Sequence, residues 1–213
     1  RWDGMRLADV GAAFDWASPG RLAVGVLIGF VLVAAHTLVV ATAGHVRWER
    51  DPVPASGQTV VLFALAYLCL AAREELAFHG YPLRCLQQLF GVWPAQFAIA
   101  IVFAAEHWLG GWSAGQAIWG AAVGSLLFGM ASIATRGLAI PIGMHAAWNY
   151  FDWLRGNRAA NGLWRPVIER GFEQSANLVG IVGYVCIMLL AVLAFWFWYR
   201  RGKTREKSEM DDS

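Results

Sequence analysis

Residues 73–84 read Arg-Glu-Glu-Leu-Ala-Phe-His-Gly-Tyr-Pro-Leu-Arg and follow an almost uninterrupted apolar run from Thr59 to Ala72. An ionisable side chain at the centre of a bilayer costs roughly 2.5–3.5 kcal/mol on insertion scales, so such a cluster requires polar partners. Two other apolar segments offer them: residues 103–107 read Phe-Ala-Ala-Glu-His, and residues 145–149 read His-Ala-Ala-Trp-Asn. The three segments together predict one polar site.

The composition is that of a membrane protein. The chain has 213 residues, of which 58% are hydrophobic and 15% are charged, and its mean hydropathy is +0.46. Its apolar runs are about 17–25 residues long, which is enough to cross the hydrocarbon core as helices, and they lack the alternation of barrel strands. We therefore predict an all-α, polytopic transmembrane bundle of about six spans, with the active site inside the membrane and residues 1–213 in a single domain.

The predicted spans are residues 22–43, 58–89, 94–108, 114–134, 138–154 and 175–199. The second is too long for one straight crossing, and Pro82 removes a backbone donor, so we expect a break between His79 and Pro82, with the following half near the interface. Residues 45–57 and 155–174 are predicted to be irregular loops. Residues 1–20 resemble an interfacial segment, and the chain opens with Arg1 rather than Met, so we expect a trimmed part of a longer chain.

The charges indicate orientation but no nucleic-acid partner. Residues 200–213 begin with a basic run, Arg-Arg-Gly-Lys-Thr-Arg, which the positive-inside rule places in the cytoplasm. Six spans then make the loop at 155–174 external, in conflict with its four arginines. The widely spaced Cys69, Cys85 and Cys186 indicate packing rather than disulfides or thiolate metal sites. His36, the one titratable residue of the first span, is expected to form a hydrogen bond within the bundle.

Helical spacing groups the polar residues on faces. Three pairs stand four residues apart and share a face: Glu75 with His79, Phe103 with His107, and His145 with Asn149. Glu74 points about 100° away from Glu75 on an α-helix. We therefore expect the two acids to serve different contacts.

These motifs, in this order, resemble the CAAX protease and bacteriocin-processing family, intramembrane proteases also called Abi proteins. The resemblance covers Glu74-Glu75 with Phe78-His79-Gly80, then the Phe-x-x-x-His and His-x-x-x-Asn motifs, about one third of the chain. The family usually has Arg where this chain has His79. The resemblance implies a peptidase, with a peptide or protein substrate that is lipid-modified or membrane-anchored, in a multi-pass protein of a bacterial cell membrane.

The resemblance also implies roles for the polar residues. Glu74 is expected to activate water with His107 positioning it, and His145 and Asn149 to donate to the oxyanion. Glu75 and His79 would orient the helix or engage the substrate. Phe103 would form part of the wall.

Three alternatives stay open at this point. A zinc-dependent hydrolysis would use Glu74, His107 and His145 as ligands, although the contiguous His-Glu-x-x-His motif is absent. We favour the metal-free mechanism, with no cofactor. A scaffold or bacteriocin-immunity protein would keep the fold with an eroded site, and a proton-coupled transporter would also place Glu and His in spans.

Overall fold

The structure is a computed structural model that describes residues 6–158 and 162–211. Its helices are α1 (Ser18–Ala43), α2 (Gly57–Glu74), α3 (Tyr81–Phe90), α4 (Val92–Leu109), α5 (Val123–Thr135), α6 (Ala139–Leu154) and α7 (Glu173–Asp211). Two π-helical segments, Glu75–Gly80 and Gln116–Ala122, follow α2 and precede α5, and two short strands are β1 (Val46–Arg50) and β2 (Trp164–Ile168). Parts of the predicted interfacial segment (1–5), external loop (159–161) and tail (212–213) lie outside the described residues. The all-α class is confirmed.

Four helical segments of the described chain are long and apolar enough to cross a membrane: α1, α4, residues 116–135 and α7. They correspond to four of the predicted spans, and they make the chain an integral membrane protein. The other two predicted spans hold most of the polar site residues: α2 ends at Glu74, and the 16-residue α6 carries His145 and Asn149.

Two compact units are interleaved along the chain. The first, called here the α1/α6 unit, consists of Asp15–Glu75 and Ala139–Ile187. The second, called here the α4/α5 unit, consists of Arg1–Phe14, Leu76–Leu138 and Met188–Ser213. Each has buried apolar residues of its own, and the single-domain organisation stays a prediction.

Glycines let α1 and α6 approach closely in the α1/α6 unit. A Cβ added to Gly25 would overlap the carbonyl oxygen of Ile140, and one added to Gly143 would overlap that of Leu22. At Gly29 it would lie 2.5 Å from the Met144 carbonyl oxygen. Small residues at such a contact allow backbone-to-backbone packing, which drives helix association where lipid removes the hydrophobic effect. The packing places the buried face of α6 firmly within this unit.

The two loops of the α1/α6 unit pair as a small sheet, so their prediction as irregular was wrong. β1 and β2 are antiparallel, with Val46 opposite Ile168 and Arg50 opposite Trp164. The sequence did not indicate these strands because each has only five residues and neither alternates regularly between buried and exposed positions. Pairing satisfies the backbone groups of both loops, and the Trp48 indole adds a hydrogen bond to the Arg155 carbonyl at 3.0 Å.

The α4/α5 unit contains the predicted helix break. The π-helical segment ends at Gly80, whose ψ of −115° interrupts the helix, and α3 starts at once with Pro82 in its first turn. Proline suits that position because its missing N–H would have no helical partner there. Leu83 then packs into a core with Ile99 and Ile133. The break is therefore confirmed, one to two residues before the proline.

Candidate active site

The acidic pair lies where α2 changes its winding. Glu74 is the last α-helical residue, and Glu75 begins the π-helical segment. Both side chains are enclosed, with Glu74 4% and Glu75 0% exposed. Single π-helical turns within helices occur frequently at functional sites. Two neighbouring carboxylates in an apolar helix require polar partners, and both carboxylates have such partners within the α1/α6 unit.

The imidazole of His145 contacts both carboxylates. Its Nδ1 lies 2.8 Å from Glu75 Oε1, a hydrogen-bond distance. Its Nε2 lies 3.6 Å from Glu74 Oε2, which is within ion-pair range but longer than a hydrogen bond. The other oxygen of Glu74 accepts from the exposed Arg73 guanidinium at 2.7 Å. The three buried groups form one cluster between α2 and α6 of the same unit.

The expectation that Glu74 and Glu75 serve different contacts was therefore wrong. It assumed a regular α-helix, on which consecutive side chains diverge by about 100°. The helix instead widens at Glu75, and an imidazole has two ring nitrogens that point in different directions. His145 uses one nitrogen for each acid.

Asn149 lies one turn further along α6 and is held by a residue that the sequence motifs do not include. Arg158 donates to its Oδ1 at 2.6 Å. Since a guanidinium only donates, the amide oxygen must face Arg158, and the Nδ2 group is then the side that can donate elsewhere. Helical spacing could not have indicated this contact, because α6 ends at Leu154 and Arg158 lies beyond it.

Asp152 and Arg155 continue the network. Asp152 Oδ1 accepts from Arg155 at 2.7 Å, and its Oδ2 lies 3.3 Å from Arg158. Arg155 also reaches the His36 Nδ1 at 2.8 Å, and His36 Nε2 lies 2.9 Å from the Gly180 carbonyl. The hydrogen-bonding role predicted for His36 is confirmed. Two of the four arginines that conflicted with an external loop, Arg155 and Arg158, are thus bound to Asp152 rather than exposed as free cations.

The remaining predicted residues lie in the α4/α5 unit. His107 Nδ1 donates to the Phe103 carbonyl at 2.9 Å, because a carbonyl can only accept. The neutral ring then carries its lone pair on Nε2. Phe103 is buried, and its ring lies 4.4 Å from that of His107, centroid to centroid. Glu106 also lies close to His107, 3.0 Å from the same Nδ1.

His79 is fully enclosed in the α4/α5 unit. Its Nε2 lies 3.0 Å from the Ser125 hydroxyl, and the Ser132 hydroxyl donates to its carbonyl oxygen at 3.2 Å. A Cβ added to Gly129 would come within 3.0 Å of the His79 ring. The ring therefore occupies a tight polar niche beside α5, where the larger guanidinium usual at this position would need more room.

The sequence-predicted residues thus fall into two groups. The α1/α6 unit brings together Glu74, Glu75 and His145, with Asn149 one turn along α6. The α4/α5 unit brings together His79, Phe103 and His107, whose rings form a continuous series.

A metal site is only partly provided for. Among residues 6–158 and 162–211, no three His, Cys, Asp or Glu side chains form a group that could hold a metal ion. Glu74 and His145 could supply two ligands, and the hydrogen bond from Nδ1 to Glu75 would leave Nε2 for the metal, as at many zinc sites. The third ligand of the zinc alternative, His107, belongs to the α4/α5 unit.

Part of the chain is similar to a known protein family. The family model for type II CAAX prenyl endopeptidase Rce1-like proteins matches residues 56–151. The match covers less than half of the chain, and residues 56–151 are called here the Rce1-like domain after the family model that they match. The matched range starts at the N-cap of α2 and ends within α6, so it holds all seven predicted site residues of the Rce1-like domain. No curated protein and no solved structure was found to match the chain.

The family implies a peptidase that acts on a peptide or protein substrate from within a membrane. A peptidase requires an activated water and donors for the developing oxyanion. The Rce1-like domain contains buried carboxylates, histidines and an oriented amide of the kinds that this chemistry uses.

Proposed function

We propose that the chain is an intramembrane endopeptidase in which Glu74 activates the attacking water. The observation that carries the proposal is the buried cluster of Glu74, His145 and Glu75 inside apolar helices. Three ionisable groups enclosed in this way cost free energy unless they are paired, and clusters of this kind mark functional sites in membrane proteins. The Rce1-like family assignment supports hydrolysis rather than transport.

Glu74 and Glu75 have different surroundings, and we assign them different roles. Glu75 is fully enclosed and bound to His145 Nδ1, which suits it to hold the tautomer and orientation of the ring. Oε2 of Glu74 lies 3.6 Å from His145 Nε2, which is too far for a hydrogen bond between the two atoms. A water molecule that contacts both of these atoms would face a carboxylate base and an imidazole together.

The oxyanion donors are proposed to be Asn149 and the protonated form of His145, which would donate from Nε2 while Nδ1 donates to Glu75. Arg158 supports this role for Asn149, because its hydrogen bond to Oδ1 leaves the Nδ2 group to donate to developing negative charge. His107 is assigned to the same reaction from its motif, as the residue that positions water. His79 and Phe103 are assigned to substrate orientation.

The substrate is proposed to be a protein or peptide cut near its terminus or close to the membrane, and a lipid-modified or membrane-anchored one fits the Rce1-like family. A bacterial cell membrane is the proposed location. We favour a metal-free reaction. The alternative is zinc bound by Glu74 and His145, since Glu74 Oε2 and His145 Nε2 lie 3.6 Å apart.

The decisive experiment is Glu74→Gln, with Glu173→Gln at an exposed position in the first turn of α7 as the matched control. Glutamine keeps the size of the side chain but cannot accept a proton, so we expect a loss of at least about 10²-fold in hydrolysis of a membrane-anchored fluorogenic peptide. Stability should stay close to wild type, since the main partner of Glu74 is the exposed Arg73. Glu173→Gln makes the same chemical change on the protein surface and should keep wild-type activity. Full activity of Glu74→Gln would reject the proposed base, and no hydrolysis by the wild type would favour the scaffold.

A further inference from the structure

A cationic cavity lies in the α4/α5 unit, and none of the roles above uses it. It has a volume of about 360 Å³ and is lined by Ala8, Asp9, Arg84, Gln87, Gln88 and Arg136. The lining residues come from the N-terminal segment, from α3 and from the turn after α5. The Leu138 amide donates to the Gly11 carbonyl at 3.0 Å, which ties the N-terminal segment to that turn. The cavity is therefore built from three connected pieces of backbone.

Arg84 is the unusual member of the lining. It donates to the carbonyl and hydroxyl oxygens of Ser132 at 2.8 and 3.1 Å, and to Gln87 Oε1 at 3.3 Å. Its Nε is enclosed without a hydrogen-bond partner. Arg84 is half-buried and forms no ion pair within the described chain, so a bound anion would compensate a partly desolvated charge. Its orientation is fixed, but its charge is not compensated.

Asp9, the acidic side chain in the lining, is already paired with Arg6. Asp9 accepts from Arg6 at 3.1 Å through Oδ1 and at 2.8 Å through the Arg6 backbone amide at Oδ2. The side-chain hydrogen bond from Arg6 lowers the pKa of Asp9 below its ordinary value, so Asp9 remains ionised and paired. The cavity thus presents Arg84 and Arg136 with two glutamine amides, a combination that favours an anion.

Apolar side chains stand beside this cavity in the sequence and are exposed. Leu7 precedes the lining residue Ala8 and is 69% exposed, and Leu89 and Phe90 follow Gln88 and are 73% and 63% exposed. Exposed apolar side chains next to cationic and amide groups are typical of segments that lie in the membrane interface. The N-terminal segment and α3 therefore both suit contact with lipid.

We propose that this cavity binds the phosphate of an anionic phospholipid headgroup. Arg84 supplies a fixed cation and Arg136 a second one, and the phosphate provides the anion that the described chain does not offer to Arg84. The exposed apolar residues beside the cavity would contact the acyl chains of the same lipid. The bound lipid would hold α3 and the N-terminal segment at the interface.

The test uses the purified full chain in zwitterionic detergent, titrated with dihexanoyl phosphatidylglycerol while binding and thermal stability are recorded. Wild type should bind this lipid saturably and be stabilised by it. Dihexanoyl phosphatidylcholine, inorganic phosphate and a short peptide with a free C-terminal carboxylate are titrated in parallel. Each should bind at least about tenfold more weakly, because each lacks the anionic headgroup or the acyl chains.

The principal variant is Gln87→Glu, and the charge-matched control is Gln174→Glu, at an exposed position of α7. Gln87 Oε1 already accepts from Arg84, so a carboxylate there supplies the missing anion without disturbing the bonds to Ser132. We expect Gln87→Glu to be more stable than wild type without lipid and to bind phosphatidylglycerol at least about tenfold more weakly. Gln174→Glu should bind like wild type. Arg136→Gln, which keeps Arg84 intact, should also weaken binding.

Several results would overturn the proposal. Equal affinity for the phosphatidylcholine would mean that the apolar side chains alone hold the lipid. Equal affinity for inorganic phosphate would make the ligand a free anion, and tighter binding of the peptide would make the cavity a peptide-carboxylate site. An unchanged phosphatidylglycerol affinity in both Gln87→Glu and Arg136→Gln would remove the cavity from lipid binding altogether. None of these readouts depends on hydrolysis, so they stand apart from the test of Glu74.

Discussion

The contact between Glu75 and His145 should be a strong energetic coupling, and a double-mutant cycle can measure it. The two atoms lie 2.8 Å apart, with side chains 0% and 6% exposed. Removing one member of a buried pair leaves the other without compensation, which typically costs about 3–5 kcal/mol. Glu75→Ala and His145→Ala should each lose this much, whereas the double variant should lose less than the sum, with a coupling energy of about 2–3 kcal/mol.

The assay is the free energy of unfolding in mixed micelles, followed by circular dichroism across a denaturing-detergent titration. The control is the parallel cycle between Glu74 and His145. That contact is 3.6 Å long, and Glu74 has a second partner in the exposed Arg73, so its coupling should stay below about 1 kcal/mol. Additive losses in the Glu75–His145 cycle, within about 0.5 kcal/mol, would refute the idea that Glu75 holds His145 in place.

Three further predictions concern packing, position 79 and metal. Gly143→Ala should destabilise the protein by about 1–3 kcal/mol because its Cβ would overlap the α1 backbone. Gly20→Ala, whose Cβ would have no neighbour within 4 Å, should leave the stability unchanged. Equal melting temperatures of the two variants would contradict the prediction. His79→Arg should lower the melting temperature by a similar cost of overpacking beside Gly129, and a variant as stable as wild type would show that the niche has room for a guanidinium. Activity should survive exhaustive chelation; one zinc per chain, with activity restored only by adding zinc back, would favour the metal alternative.

Local sequence is enough to predict the membrane helices, the polar segments and the helix break of this protein. The apolar runs predict membrane helices because a bilayer leaves few other ways to satisfy the backbone. The polar segments containing Glu74, His107 and His145 are conspicuous because each stands in apolar sequence, where an ionisable group is costly. The break near Gly80 is also local, since Pro82 has no N–H to donate and restricts the residue before it. None of these conclusions required knowing which helices touch.

Partner choice, by contrast, was decided only by the tertiary structure. His145 bridges Glu74 and Glu75 because α2 widens at Glu75 where α6 packs beside it, and regular helical spacing cannot anticipate that change. Arg158 reaches Asn149 from beyond the end of α6, so no helical face contains both. The pairing of β1 with β2 joins residues more than 100 positions apart, as from Val46 to Ile168. Such contacts depend on how the chain returns to itself, whereas sequence periodicity reports only which side of one element is apolar.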